Sequence, residues 1–252
     1  GATDVAEVFS THLYTGTGSS LAINNGIDLA GEGGLVWLKR RNATGSHQLY
    51  DTERGAAKLL YSDTTSVQLS TVSEGVQSFN SNGFTLGGNW GGENFSGGTV
   101  ASFTFRKKSG FFDCLTYSGN GVAGREIAHG LDGPVGMLVV KCTSNADGWV
   151  VQHKGLASGG TTIMLNSTGA SYNAASIWNS TDATSSKFTL GTDGSVNASG
   201  RTYVAYLFAD NTAEDADDQM IKCGSYTGNG SGTGPVVNLG WEPQWIMIKN
   251  AS

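Results

Sequence analysis

The stretch "YTGNGSGTGPVVNLGWEPQWIMIKN" (Tyr226 to Asn250) has two earlier versions in the same chain, and their spacing decides how the sequence divides. One is "YSGNGVAGREIAHGLDGPVGMLVVKC" (Tyr117 to Cys142); the other is "YTGTGSSLAINNGIDLAGEGGLVWLKRR" (Tyr14 to Arg41). Each opens on Tyr, then Ser or Thr, then Gly. Each passes through a polar, glycine-rich segment and ends in an apolar run closed by a lysine: Lys39, Lys141 or Lys249. The tyrosines are 103 and 109 residues apart, and the lysines keep nearly the same step. A period this long marks tandem domains rather than a solenoid, whose units run to about 20–50 residues.

The later parts of the copies correspond as well. "GFTLGG" (83–88) matches "KFTLGT" (187–192), and "NFSGGTVASFTF" (94–105) matches "NASGRTYVAYLF" (197–208). The chain therefore reads as a first repeat over residues 1–113, a second over 114–222, and over 223–252 the opening strands of a third, truncated repeat.

The local signals are those of strands. "GLVWLKR", "MLVVKC" and "WIMIKN" are short apolar runs bounded by glycine or proline, the mark of a buried strand. "TVASFTFRK" and "TYVAYLFA" place β-branched and aromatic residues almost continuously, which suits a strand packed on both faces. Asn-Gly pairs at 25–26, 82–83, 120–121 and 229–230, with Asp-Gly at 132–133, 147–148 and 193–194, supply turns between them. Many short strands separated by turn signals predict an all-β fold of tandem antiparallel sandwiches. Only "DNTAEDADDQMIK" (210–222) has the acidic front and late lysine of a short helix.

Composition removes several function classes. No run approaches the ~20 apolar residues of a membrane-spanning helix. A net charge of −6, with Arg106-Lys107-Lys108 the one short basic cluster, argues against nucleic acid. The three cysteines form no zinc-type spacing; they read as free thiols, with a Cys114–Cys142 bond as the alternative. The four acids Asp210, Asp215, Asp217 and Asp218 cluster but lack the order of a calcium hand. No cofactor is expected, and calcium at those acids is the alternative.

The series Tyr-Thr-Gly-Asn-Gly, then His-Gly-Leu-x-x-Pro-x-x-Leu-Val-Val-Lys, then "GWVVQHKGL", "FTLG" and "TYVAYLF", resembles domains of bacteriophage tail fibres and other virion appendages. So does "GLVWLKRRNATGSHQLYDTERG". The resemblance covers nearly the whole chain and implies concanavalin-like jelly-roll sandwiches, a virion location, assembly in the host cytoplasm, and partners among other virion proteins. It also implies a homo-oligomer, with a trimer favoured. The second copy departs from it, having "QHKGLASGG" where the first has "DTERGAAKL".

Catalysis is not expected. Glycoside hydrolysis on a sandwich needs two carboxylates facing each other across a cleft. The Asp51 and Glu53 pair has a suitable spacing but sits in the "DTERG" segment, which the second copy lacks. The four histidines are scattered, and no nucleophile elbow or phosphate loop is present. Binding remains. "GGNWGGEN" (87–94) places Trp90 in a glycine loop beside Asn89, Glu93 and Asn94, the residue types that stack on and hydrogen-bond a sugar. Trp90 could equally fold back as a lid. Asp51 and Arg54 read either as a loop-fixing charge pair or as ligand contacts. The expected function is an appendage adhesin holding host surface glycan. The alternative is a spacer or capsid decoration that binds nothing, and a glycan-degrading enzyme is a remote third.

Overall fold

The computed structural model describes residues 4–88, 92–210 and 219–252. The first repeat contains α1 (Val5–Val8), β1 (Phe9–Thr15), β2 (Leu21–Asn24), α2 (Leu29–Glu32), β3 (Gly34–Arg40), β4 (Gln48–Asp51), β5 (Lys58–Tyr61), β6 (Leu69–Ser70), β7 (Val76–Asn80), β8 (Gly83–Leu86) and β9 (Thr99–Arg106). The second contains β10 (Phe112–Ser118), β11 (Arg125–Ala128), β12 (Val135–Cys142), β13 (Trp149–His153), β14 (Thr161–Met164), β15 (Tyr172–Asn173), α3 (Ala175–Trp178), β16 (Lys187–Leu190) and β17 (Thr202–Ala209). The expected boundary at 113/114 falls inside β10, one residue or two late.

Both repeats build the same object. A six-stranded antiparallel sheet ordered β1-β9-β3-β4-β5-β6 recurs as β10-β17-β12-β13-β14-β15. Register recurs with it: Leu35 faces Phe105 across β3 and β9, as Met137 faces Phe208 across β12 and β17. Over each large sheet lies a small one, β2-β8-β7 in the first repeat and β11-β16 in the second; among the described residues the second has no strand paired as β7 is with β8. The fold is thus all-β and antiparallel, two sheet-on-sheet units in tandem.

Strand alternation then sends side chains to opposite faces of each large sheet. Val36 and Leu38 enter the core inside the first sandwich with Ile23, Phe84, Leu86 and Val100. Leu138, Val140 and Cys142 enter the corresponding core of the second, with Phe188, Leu190 and Tyr203. The opposite faces meet each other. Leu35, Trp37 and Phe105 of the first repeat pack with Met137, Val139, Trp149, Tyr206 and Phe208 of the second in a third, shared core. The doubly apolar strands β9 and β17 are the sequence signature of this back-to-back contact.

Polar groups cross the same interface. The Trp149 indole donates to the carbonyls of Tyr61 and Thr64, at 2.9 and 3.2 Å. Buried Lys141 reaches the Thr65 carbonyl, and burial lowers its ammonium to about 8. Cys114 and Cys142 are buried free thiols on strands separated by β17, which leaves no room for a bond between them.

Residues 223–252 depart from expectation, for no strand forms there. A strand needs ladder partners. Those that flank β3 and β12 come later in each repeat, and no described strand pairs with this segment. The segment still lies on the shared core, where Trp245 approaches Trp37 at 6.2 Å and Phe105 at 5.4 Å between ring centres. No helix among the described residues is long and apolar enough to cross a membrane.

Candidate functional site

Asp51 and Arg54 form a buried pair beneath the interface between the large sheets. The Arg54 Nε sits 2.5 Å from Asp51 Oδ2, and the Arg54 amide donates to Asp51 Oδ1 at 2.8 Å. The Tyr206 hydroxyl of the second repeat donates to the same carboxylate at 2.6 Å. Burial by itself would lower the Arg54 guanidinium, but Asp51 and Tyr206 hold it above its ordinary value. The triad joins the two repeats, and its side chains are buried.

Asn94 is also spent on structure. Its Oδ1 accepts from the Thr17 amide, and its Nδ2 donates to the carbonyls of Gly87 and Ser19. Asn197 repeats this in the second copy with Asn120, Gly191 and Val122. The clamp explains the Tyr-x-Gly opening. A Cβ on Gly16 would lie 2.4 Å from the Phe95 carbonyl oxygen, and one on Gly119 would lie 2.1 Å from that of Ala198.

Glu93 is different. Its side chain is almost fully buried, and neither carboxylate oxygen has a hydrogen-bond partner. Burial pushes the carboxyl up to about 8; its own backbone amide lowers it by less, and the nearby Glu74 charge adds a smaller rise. The Tyr14 hydroxyl, also buried and unpartnered, is raised by burial and by Glu93. The hydroxyl of Tyr50, raised by the same two causes, donates to Gln48 Oε1 at 3.1 Å.

Glu93 borders a cleft of about 100 Å³ at one end of the first sandwich. Leu38, Arg40 and Gln48 line it from the sheet, Thr44 to Ser46 from the β3–β4 loop, and Gly92 and Glu93 from the segment before β9. Arg40 lies over the Phe95 ring at 5.1 Å and donates to Asn42 at 3.1 Å. Gly92 has φ of +96°, and a Cβ there would crowd the Arg40 stem at 3.3 Å. A protonated carboxyl can donate one hydrogen bond and accept another, so this floor suits a neutral hydroxylated group. Liquid water takes about 30 Å³ per molecule, so the cleft admits a hydroxymethyl group or a pair of neighbouring hydroxyls rather than a whole disaccharide.

The second repeat shows what the same position looks like without such a group. Register pairs Leu38, Arg40, Gln48 and Glu93 with Val140, Cys142, Val150 and Val196. All four counterparts are buried in the inner core. The Tyr117 hydroxyl, counterpart of the orphan on Tyr14, donates to the Val196 carbonyl at 2.8 Å. A larger hollow of about 230 Å³ lies elsewhere in the second repeat, near Gln152 and Lys154. Its polar groups are satisfied: Gln152 bonds Thr181 and Ala183, and Lys154 pairs with Asp210.

Of the residues that sequence alone singled out, Glu93 reaches the cleft. Asp51, Arg54 and Asn94 are structural, and Asn89 and Trp90 lie outside the described residues. Sequence reasoning missed Arg40 and Gln48, which line the cleft, and the orphan hydroxyl of Tyr14. An alignment of the two copies carries their signal, as polar residues where the other copy has apolar ones or a bonded hydroxyl. Among the acids considered for calcium, Asp210 is paired with Lys154 and accepts from the Cys223 amide at 3.1 Å. Asp215, Asp217 and Asp218 lie outside the described residues. Among the described residues no group of three or more His, Cys, Asp or Glu side chains converges on a metal position.

The profile of a protein family matches residues 4–252, through both sandwiches and the C-terminal segment. The chain belongs to the DUF7483 family. That family is described as a domain of unknown function. No curated protein and no solved structure matches the chain. The reading of this DUF7483 chain therefore rests on its own two copies and the cleft that distinguishes them.

Proposed function

We propose that the chain is a virion appendage protein that binds saccharide hydroxyls in the Glu93 cleft of its first repeat. The observation that carries this reading is the buried, unpartnered Glu93 carboxyl in a polar cleft whose four counterparts in the second repeat are apolar. A buried polar group without a partner costs about 1–3 kcal/mol, so a fold that keeps one offers a bond to something not yet bound. The neutral Glu93 carboxyl beside the Gln48 amide and the Arg40 guanidinium offers the mix of donors and acceptors that holds a sugar edge. Glu93 is the one carboxylate among the described lining residues, and hydrolysis of a glycosidic bond uses two. That favours an adhesin over a glycan-degrading enzyme. One small cleft gives weak binding, which oligomerisation into a trimer multiplies by avidity.

The test is a glycan array probed with the intact chain and with a Glu93→Val variant, which writes the second copy's residue into the first. The expected result is saccharide retention by the parent chain and its loss in a variant that melts at the same temperature or higher. A parent that retains no saccharide, or a variant that retains it equally, would falsify the adhesin reading and leave the spacer role. Trp90→Ala, run beside them, tests the loop aromatic separately.

A further inference from the structure

Arg40 is a cation without an anion. Among the described residues the ion pairs are made by Arg54, Lys107, Lys154, Lys187 and Arg201, and Arg40 makes none. Glu93 lines the same cleft, yet its carboxylate oxygens do not bond to it. Only the Nε of Arg40 is engaged, by Asn42 Oδ1 at 3.1 Å; neither Nη atom has a hydrogen-bond partner among the described residues. A free guanidinium on a long stem ordinarily trails into water. This one is held.

Three contacts hold it. The Phe95 ring lies against the guanidinium, 5.1 Å from its centre. Asn42, which takes the Nε, is itself anchored: it donates to the Gly97 carbonyl and accepts from the Thr99 amide, each at 3.2 Å. Gly92 closes over the stem on the cleft side. What stays open is the Nη1–Nη2 edge, two N–H groups side by side in one plane, which match the two oxygens of a carboxylate. The side chain is already ordered, so an anion binds there without the cost of freezing it.

The charge balance points the same way. Burial keeps the Glu93 carboxyl neutral below about pH 8, so Arg40 is the one charge among the lining residues at neutral pH. The Lys39 ammonium beside the cleft is spent on the Gly45 carbonyl. In the second repeat the register partner of Arg40 is Cys142, fully buried, and no cation stands there.

We propose that the saccharide held in the Glu93 cleft is acidic: its carboxylate takes the Nη1–Nη2 edge of Arg40, and a hydroxyl on the adjacent ring carbon reaches the Glu93 carboxyl, as a uronate unit presents them. This inference rests on the reading of the cleft as a saccharide site and narrows that reading to one class. A sulfate or phosphate ester presents three oxygens, and the lining holds no second cation for the third.

The experiment is an NMR titration of the isotopically labelled intact chain at neutral pH. The probes are methyl glycosides of glucose, galactose and mannose, each as the neutral sugar, the uronate and the sulfate ester. A uronate should bind roughly 10-fold or more tightly than its neutral parent, and added salt should weaken it. Arg40→Gln should bring the two to equal affinity, while Arg40→Lys, which keeps the charge and loses the fork, should fall between. Neutral sugars binding as tightly as uronates, or retention on the glycan array of glycans without a carboxylate alone, overturns the acidic assignment and leaves the adhesin reading standing. A sulfate ester preferred to its uronate removes the carboxylate as the recognised group. A preference that survives Arg40→Gln in full places the anion elsewhere and overturns the role of Arg40. If the array retains no saccharide at all, the adhesin reading fails and this inference fails with it.

Discussion

At the end of the first sandwich, Glu93 is buried without a partner beside an open cleft, and the Tyr14 hydroxyl is a second buried orphan; in the second, Val196 fills the core and Tyr117 is hydrogen-bonded. Strand order, register and the asparagine clamp are common to both, so the scaffold does not require the polar groups. A duplicated fold supplies its own control. What both copies keep, such as Asn94 and Asn197, serves the architecture. What one copy alone carries, at some cost in stability, is where a distinct function is to be sought.

The most severe way to break this comparison is to write the first copy's residue into the second. Val196→Glu places a carboxyl in a packed apolar core with no hollow, and should cost about 3 kcal/mol or more. Urea unfolding measures it; a loss under ~1 kcal/mol would mean the two sites differ less than their packing indicates.

Glu93→Gln should show itself as a change in pH dependence, small at low pH and growing as pH rises. The folded carboxyl titrates at about 8 and the unfolded one near its ordinary 4.5. Between those values the folded state holds the extra proton, so this group makes the parent chain lose stability as pH rises. The loss starts near pH 4.5, is complete just above pH 8, and has a slope of at most about 1.4 kcal/mol per pH unit. The variant should lack this component. Parallel profiles for parent and variant would show that Glu93 is not buried in solution.

The finest test uses one atom at each site. Tyr117→Phe removes a made hydrogen bond and should cost about 1 kcal/mol, whereas Tyr14→Phe removes an orphan hydroxyl and should be neutral or slightly stabilising. Equal losses from both, read from thermal melts, would put a partner on Tyr14 and weaken the case for an unfilled site.

Much of the fold was legible in the sequence because strand periodicity and turn dipeptides act locally. The two-faced apolar character of "TVASFTF" and "TYVAYLF" even announced that both sides of the large sheets would be covered. It could not announce by what, since Leu35 and Phe208 meet only through the chain's global arrangement. The same limit applied to Asp51 and Arg54, whose third partner, Tyr206, lies in the other repeat. Glu93 stands out in the sequence for its neighbours in "NWGGEN" rather than for its burial, and burial is not a local property. Gln48 was passed over because, inside an apolar strand, a lone glutamine carries no pattern until it is set beside Val150.

The shared core also has a consequence in time. Leu35, Trp37 and Phe105 leave the ribosome well before the surface that covers them, for Phe208 follows Phe105 by 103 residues. At synthesis rates of about 5–20 residues per second, the newborn first sandwich shows a bare aromatic wall for roughly 5–20 s. During that interval its neighbours on a crowded polysome carry the same wall, so correct assembly is a race between the next hundred residues and the chain next door.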